Sequence, residues 1–173
     1  MTRRNLISLL STLVVAALGV GCANYQLGTG AAPLEFKQLY VAPIESKTLA
    51  PQSVAPISRA IREAVLTDGR VELAASPTEA DAVLTMVLID RERTFTSVQP
   101  QDTALARKFD ITLTVVCSLT NPSSGQVYFA DREIEVTRQI YVDGGQNPAE
   151  FQVVPQLAHE LGDRISHSVL DVW

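Results

Sequence analysis

The sequence predicts an α+β fold: a two-layer sandwich of a mostly antiparallel sheet, about four to five strands with long central hairpins, carrying two helices on one face. Three observations lead there. Ser53–Thr67 and Pro148–Trp173 repeat apolar residues every three or four positions, so each presents one apolar stripe. Asp81–Phe95, Phe109–Asn121 and Gln126–Val142 are long and rich in β-branched residues, and the second alternates apolar with polar side chains throughout. Turn chemistry divides them, most plainly at Asn121-Pro122-Ser123-Ser124-Gly125.

The chain begins with Arg3 and Arg4, then an uncharged apolar run from Leu6 to Leu18, then Gly19-Val20-Gly21-Cys22. A basic start, an apolar stretch too short to span a bilayer comfortably and small residues at a cleavage point make an export signal. A cysteine directly after the small residues makes it look like a bacterial lipoprotein signal, with Cys22 acylated as the mature N-terminus. A plain secretory signal would instead leave Cys22 as a free thiol. Lipidation gives the odd thiol of a two-cysteine exported chain a use. Several acyl chains, at about 0.8 kcal/mol per buried methylene, hold a domain to a membrane durably. The expected organisation is therefore a leader over residues 1–21, a lipidated N-terminus and tether over 22–36, and one α+β domain over 37–173.

Leu39-Tyr40-Val41-Ala42-Pro43-Ile44 reads as the first strand, with Pro43 near its end, and Glu45–Gln52 as a turn. Ser53 is the expected N-cap of the first helix, whose stripe is Val54, Ile57, Ile61 and Val65. Asp68-Gly69 closes it, glycine suiting the left-handed cap. Val71–Ala74 is a short strand. In Phe109–Asn121, Ile111, Leu113, Val115, Cys117 and Leu119 share one side, which buries Cys117 as a small hydrophobe. In the following segment Ile134, Val136 and Ile140 oppose Glu133, Glu135 and Thr137. The last helix is expected to bury Phe151, Val154, Ala158, Leu161, Ile165 and Val169, with Pro155 in its early turns. Lengths matter here. Asp81–Phe95 can extend about 50 Å at ~3.3 Å per residue, the first helix only about 22 Å at 1.5 Å per residue. Part of the long hairpins must therefore lie beyond the helices.

Loss of Arg3 and Arg4 with the leader takes the formal charge from −5 down by two, to −7. Such a domain lacks the clustered cations that nucleic-acid binding needs. Catalytic motifs are also missing from the sequence: no nucleophile elbow, phosphate loop or dinucleotide fingerprint occurs. His159-Glu160-Leu161-Gly162-Asp163 approaches a zinc-protease motif but has Asp163 at the second histidine position, and His167 lies a turn further on. Leu161 belongs to the apolar stripe, so the flanking polar residues read as the solvated side. No enzyme activity, metal or cofactor is expected.

The layout resembles the lipopolysaccharide-assembly lipoprotein family, LptE. The resemblance rests on Cys22-Ala23-Asn24-Tyr25-Gln26-Leu27-Gly28 after the signal and on Leu39-Tyr40-Val41-Ala42-Pro43-Ile44 running into the helix. It continues in Thr67-Asp68-Gly69-Arg70-Val71-Glu72-Leu73 and Glu79-Ala80-Asp81-Ala82-Val83-Leu84, in that order and spacing. It implies a lipid-anchored protein on the periplasmic face of the cell outer membrane. Such a protein plugs and supports assembly of an LptD-type β-barrel and aids lipopolysaccharide insertion into the outer leaflet. Ala23 after Cys22 agrees with an outer-membrane address. The strand–helix–strand opening also resembles lipoprotein activators of penicillin-binding proteins, which implies a regulator of peptidoglycan synthesis instead. Long Thr-rich strands favour the first reading, since a barrel-filling sheet needs small polar groups on its free face.

For lipopolysaccharide itself the candidate contacts are Arg91 and Arg93, leaving one long strand, and Arg107 and Lys108, entering the next. An antiparallel hairpin gathers them near one end, and guanidinium forks suit phosphate. A mixed-charge solvated rim with Glu92 and Asp110 is the plainer reading of the same residues.

Overall fold

In the computed structural model, which describes residues 34–96, 107–142 and 146–171, six strands and two long helices follow one another. They are β1 (Gln38–Val41), β2 (Glu45–Ser46), α1 (Val54–Asp68), β3 (Glu72–Leu73), β4 (Ala82–Thr96), β5 (Arg107–Thr120), β6 (Val127–Val142) and α2 (Gln146–Leu170). The sheet order is β3-β1-β4-β5-β6, with β2 also paired to β4.

The α+β class agrees with expectation, but the sheet is mixed where a mostly antiparallel one of four to five strands was expected. β4, β5 and β6 form the long antiparallel meander. β1 pairs in parallel with both β3 and β4, and β2 in parallel with β4. The connection from β1 to β3 passes through a helix, and a crossover of that kind returns the chain parallel. Glu45-Ser46, read from the sequence as turn, is the sixth strand. Ala42 donates to Leu84 (3.0 Å), Pro43 has no N–H to offer, and the ladder resumes until Lys47 donates to Leu88 (2.9 Å). Asp81 anchors this register by accepting the amides of Lys37 and Gln38 at 2.9 and 3.0 Å, bonds that hold its carboxyl below the usual range.

The buried side chains of α1 are Ile57, Ala60, Ile61 and Val65, and Gly69 closes the helix at φ 72°. Ser53 does not cap it. A short 3-10 turn, Pro51–Ser53, leads in, Ser53 itself is helical, and its buried hydroxyl has no partner among the described residues. α2 buries Val153, Val154, Leu157, Ala158, Leu161, Ile165, Val169 and Leu170, but Phe151 stands 62% exposed instead of joining the stripe. Contacts with β6 explain this. Arg132 meets Ser168, Arg164 meets the Glu135 carbonyl and Arg138 meets Glu160, so helix and strand run in opposite directions. Before Glu160 the helix still has 14 residues, about 21 Å, against four residues of β6, about 13 Å. Its first turns overrun the described strand.

The two helices run side by side in the same direction. Pro56 lies near Pro155, Glu63 near His159 and Thr67 near His167. Gly162 is where they touch: a Cβ there would sit 2.8 Å from the Ala60 carbonyl carbon and 2.9 Å from its oxygen. Arg70 ties the C-terminal ends, bonding Asp68 at 2.6 Å, the Leu170 carbonyl at 3.0 Å and Asp171 at 3.1 Å. The guanidinium bond holds the Asp68 carboxyl below its usual range. Under the helices, β4 and β5 supply Leu84, Met86, Leu88, Ile111, Leu113, Val115, Cys117 and Leu119 to one core.

Gly162→Ala should destabilise the fold despite the ~1 kcal/mol gain in helix propensity. The methyl meets backbone that has no rotamer to escape by, and overpacking costs about 1–3 kcal/mol. A thermal melt should show a midpoint lower by several degrees; an unchanged or higher midpoint would mean the helices separate freely.

Candidate docking surface

Beyond β2, the sheet continues, among the described residues, as β4, β5 and β6. Here a β-bulge between Leu88 and Asp90 resets the alternation of β4. Before it, Ala82, Leu84, Met86 and Leu88 face the helices; after it, Arg91, Arg93 and Phe95 stand opposite Leu113, Ile111 and Phe109 on that same side. One extra residue, Ile89, turns the odd-numbered side chains inward. The Arg93 guanidinium lies 3.8 Å over the Phe109 ring, and Phe95 meets that ring edge-on at 5.5 Å. Cation–π contact of this kind contributes about 0.5–2 kcal/mol and keeps the charged plane against an apolar surface.

The four cations proposed from the sequence sit near one end of the hairpin but do not form one cluster. Arg91 and Arg93 share the helix side. Lys108 pairs with Thr96 and Tyr141 on the opposite side, its ammonium 5.8 Å from the Tyr141 ring. Arg107 is placed by backbone register alone, opposite Val142. Cys22 lies outside the described residues. Sequence reasoning missed Phe95 and Phe109; the available signal was the switch from apolar even positions to Arg91, Arg93 and Phe95 at odd ones.

Charge is segregated across this part of the sheet. On the face away from the helices, Asp90, Thr114 and Glu135 form one cross-strand row. Glu92, Thr112 and Thr137 form the next, with the two threonine hydroxyls 2.9 Å apart. A third holds Thr94, Asp110 and Gln139, whose amide donates to Asp110 at 2.9 Å. Threonine hydroxyls and carboxylates thus share this face, with Thr112, Thr114 and Asp110 on the middle strand. On the helix side, Arg132 and Arg138 bond Ser168 and Glu160 of α2.

Glu160 is held by Arg138 (3.0 Å) and Arg164 (2.9 Å) toward β6, whereas His159 and Asp163 (3.7 Å apart) border a groove between α1 and α2 with Glu63, Asp68 and His167. Of the zinc-like motif, His159 and Asp163 thus stay together on the groove while Glu160 turns away toward β6. That groove, about 450 Å³, and a neighbouring one of about 670 Å³ lined by Ala55, Pro56, Ala60, Pro155 and Ala158, are open depressions on the helix layer.

A family model for lipopolysaccharide assembly, LptE, matches residues 36–169. No curated protein matches the chain by sequence. Among solved structures, a Xanthomonas campestris protein is similar at 11% identity and a TM-score of 0.59, over 83% of this chain and 88% of that one. Lipoprotein B of Nitrosomonas europaea is similar at 18% identity and 0.52, over 82% and 85%. A minor lipoprotein of Acinetobacter baumannii follows at 13% and 0.52, over 79% and 94%. At these identities the likeness is one of fold.

Burial pushes the Cys117 thiol up to about 12, against a smaller opposing effect of Arg132. A thiol so shifted carries almost no thiolate at pH 8, where an exposed one is substantially ionised. Alkylation of the folded domain at Cys117 should be at least ~1000-fold slower than after unfolding in denaturant. Comparable rates in both states would show that the thiol is reachable in the native fold.

Proposed function

We propose that this chain, which belongs to the lipopolysaccharide-assembly family LptE, is an outer-membrane lipoprotein that plugs an LptD-type β-barrel and aids delivery of lipopolysaccharide to the outer leaflet. Its role is docking, without catalysis. In this reading Cys22 carries the acyl chains that hold it at the periplasmic face, and residues 23–36 are the tether.

The observation that carries the reading is the free face of β4, β5 and β6. Its middle strand carries half-buried Thr112, hydrogen-bonded to Thr137, and buried Thr114, with carboxylates nearby; α1 and α2 lie on the other face. Small hydroxyls make a shallow surface that satisfies its own hydrogen bonds cheaply and accepts polar groups from a barrel wall. The carboxylates on that face repel phosphate, which favours the other side for the glycolipid. There the Arg93 guanidinium lies over the Phe109 ring, which Phe95 meets edge-on, and Arg91 shares that side, a combination suited to an anionic headgroup on an apolar body. Lys108 lies on the opposite face of the same hairpin and is outside this arrangement.

Affinity capture of the acylated protein from detergent-solubilised membranes should bring down an outer-membrane barrel in near-equal amount. A peptidoglycan synthase in its place would sink the plug reading and favour a penicillin-binding-protein activator. Substituting both Arg91 and Arg93 by serine should weaken binding of purified lipopolysaccharide by about tenfold or more, since charge-assisted hydrogen bonds contribute about 1.5–3 kcal/mol each. Unchanged affinity would remove these two residues from the site.

A further inference from the structure

β6 is a 16-residue edge strand, and its two halves are treated differently. Toward the start, three devices close the edge. Asp131 takes φ 49° in a bulge, its amide bonded to the Ser118 hydroxyl. The Arg132 guanidinium covers the Phe129 ring at 4.1 Å and donates to Ser168. Arg164 donates at 2.9 Å to the carbonyl of Glu135. Bulges and charged side chains are the usual means of keeping a sheet edge from pairing.

The Glu135 bond also fixes the phase of the ladder. Backbone groups of an edge strand alternate between facing the neighbouring strand and facing outward. With the Glu135 carbonyl facing outward, so do the N–H and C=O groups of Thr137, Gln139 and Tyr141. Among the described residues, nothing hydrogen-bonds the backbone of these three on the outer side. The same end of the molecule carries exposed aromatic rings: Tyr141 at 62%, Phe151 at 62% and Phe95 at 54%. An open ladder with exposed rings on either side of it is a surface that another chain can complete.

We infer that the outer half of β6, Thr137–Tyr141, receives an extended segment of the partner barrel as a seventh strand. The inference rests on the plug reading and specifies how that partner is gripped. Backbone bonds to Thr137, Gln139 and Tyr141 supply the register. Side chains of the incoming strand alternate, polar where they lie beside the Thr137 hydroxyl and Gln139 amide, and apolar beside buried Ile140. The guarded first half sets the limit of the added strand at Glu135.

The experiment compares Gln139→Pro with Gln139→Val in the full acylated protein. Both lose the side-chain bond to Asp110; only proline also loses the outward N–H. Because that N–H does not pair with β5, proline is tolerated on such an edge, and thermal melts of the two variants verify it. Capture of the barrel should survive in the valine variant and fall at least tenfold in the proline variant. Equal capture by both overturns the added strand and leaves the plug reading intact; no barrel with the unsubstituted protein overturns the plug reading first. Hydrogen exchange gives a second readout without substitution. The amides of Thr137, Gln139 and Tyr141 should exchange fast in the free protein and at least tenfold slower in the complex. Unchanged exchange on complex formation sinks the inference.

Discussion

One residue too many in β4 decides what this sheet presents to its surroundings. Side chains on a strand alternate with a period of two, so an insertion opposite Val115 and Thr114 swaps faces for everything downstream. Without Ile89 as the extra residue, Arg91 and Arg93 would sit among threonines and carboxylates, and Asp90 and Glu92 would turn toward the core side. With it, positive charge gathers beneath the helix layer and negative charge collects on the free face. Guanidinium stacking on Phe109 then gives Arg93 an apolar seat.

The helix layer has the complementary task of staying compact while the sheet runs on. Close passage of α2 over Ala60 depends on the missing side chain of Gly162, and a larger residue would push α2 off the core shared by Leu157, Leu161 and Ile165. Arg70 finishes the far end, donating to the Leu170 carbonyl with a cation where the helix dipole favours one. The same guanidinium bonds Asp68 directly, and that bond lowers the Asp68 carboxyl. Its contribution to stability is present above the ordinary carboxylate range and is lost only as pH falls through the lowered value.

Polarity therefore runs both across the sheet and along it. Across it, hydroxyls and carboxylates oppose arginines and rings. Along it, one end is sealed by helices, bulge and ion pairs, while the other exposes aromatic rings and a length of unclosed ladder.

Periodicity in the sequence determined the α+β class, the three long strands, the burial of Cys117 and the left-handed cap at Gly69. Each depends on spacing between near neighbours, which the chain displays directly. Order and spacing of short segments also sufficed to identify the family resemblance. Only the tertiary structure decided the rest. Glu45-Ser46 becomes a strand because Val87 and Leu88 lie beside it, and Ser53 fails to cap because a preceding turn already makes it helical. Phe151 leaves its stripe because the helix outruns β6. The bulge at Ile89, which separates Arg91 and Arg93 from Lys108, arises from how two distant strands register. Such pairings join residues far apart in the chain, and no local pattern encodes where one strand slips past another.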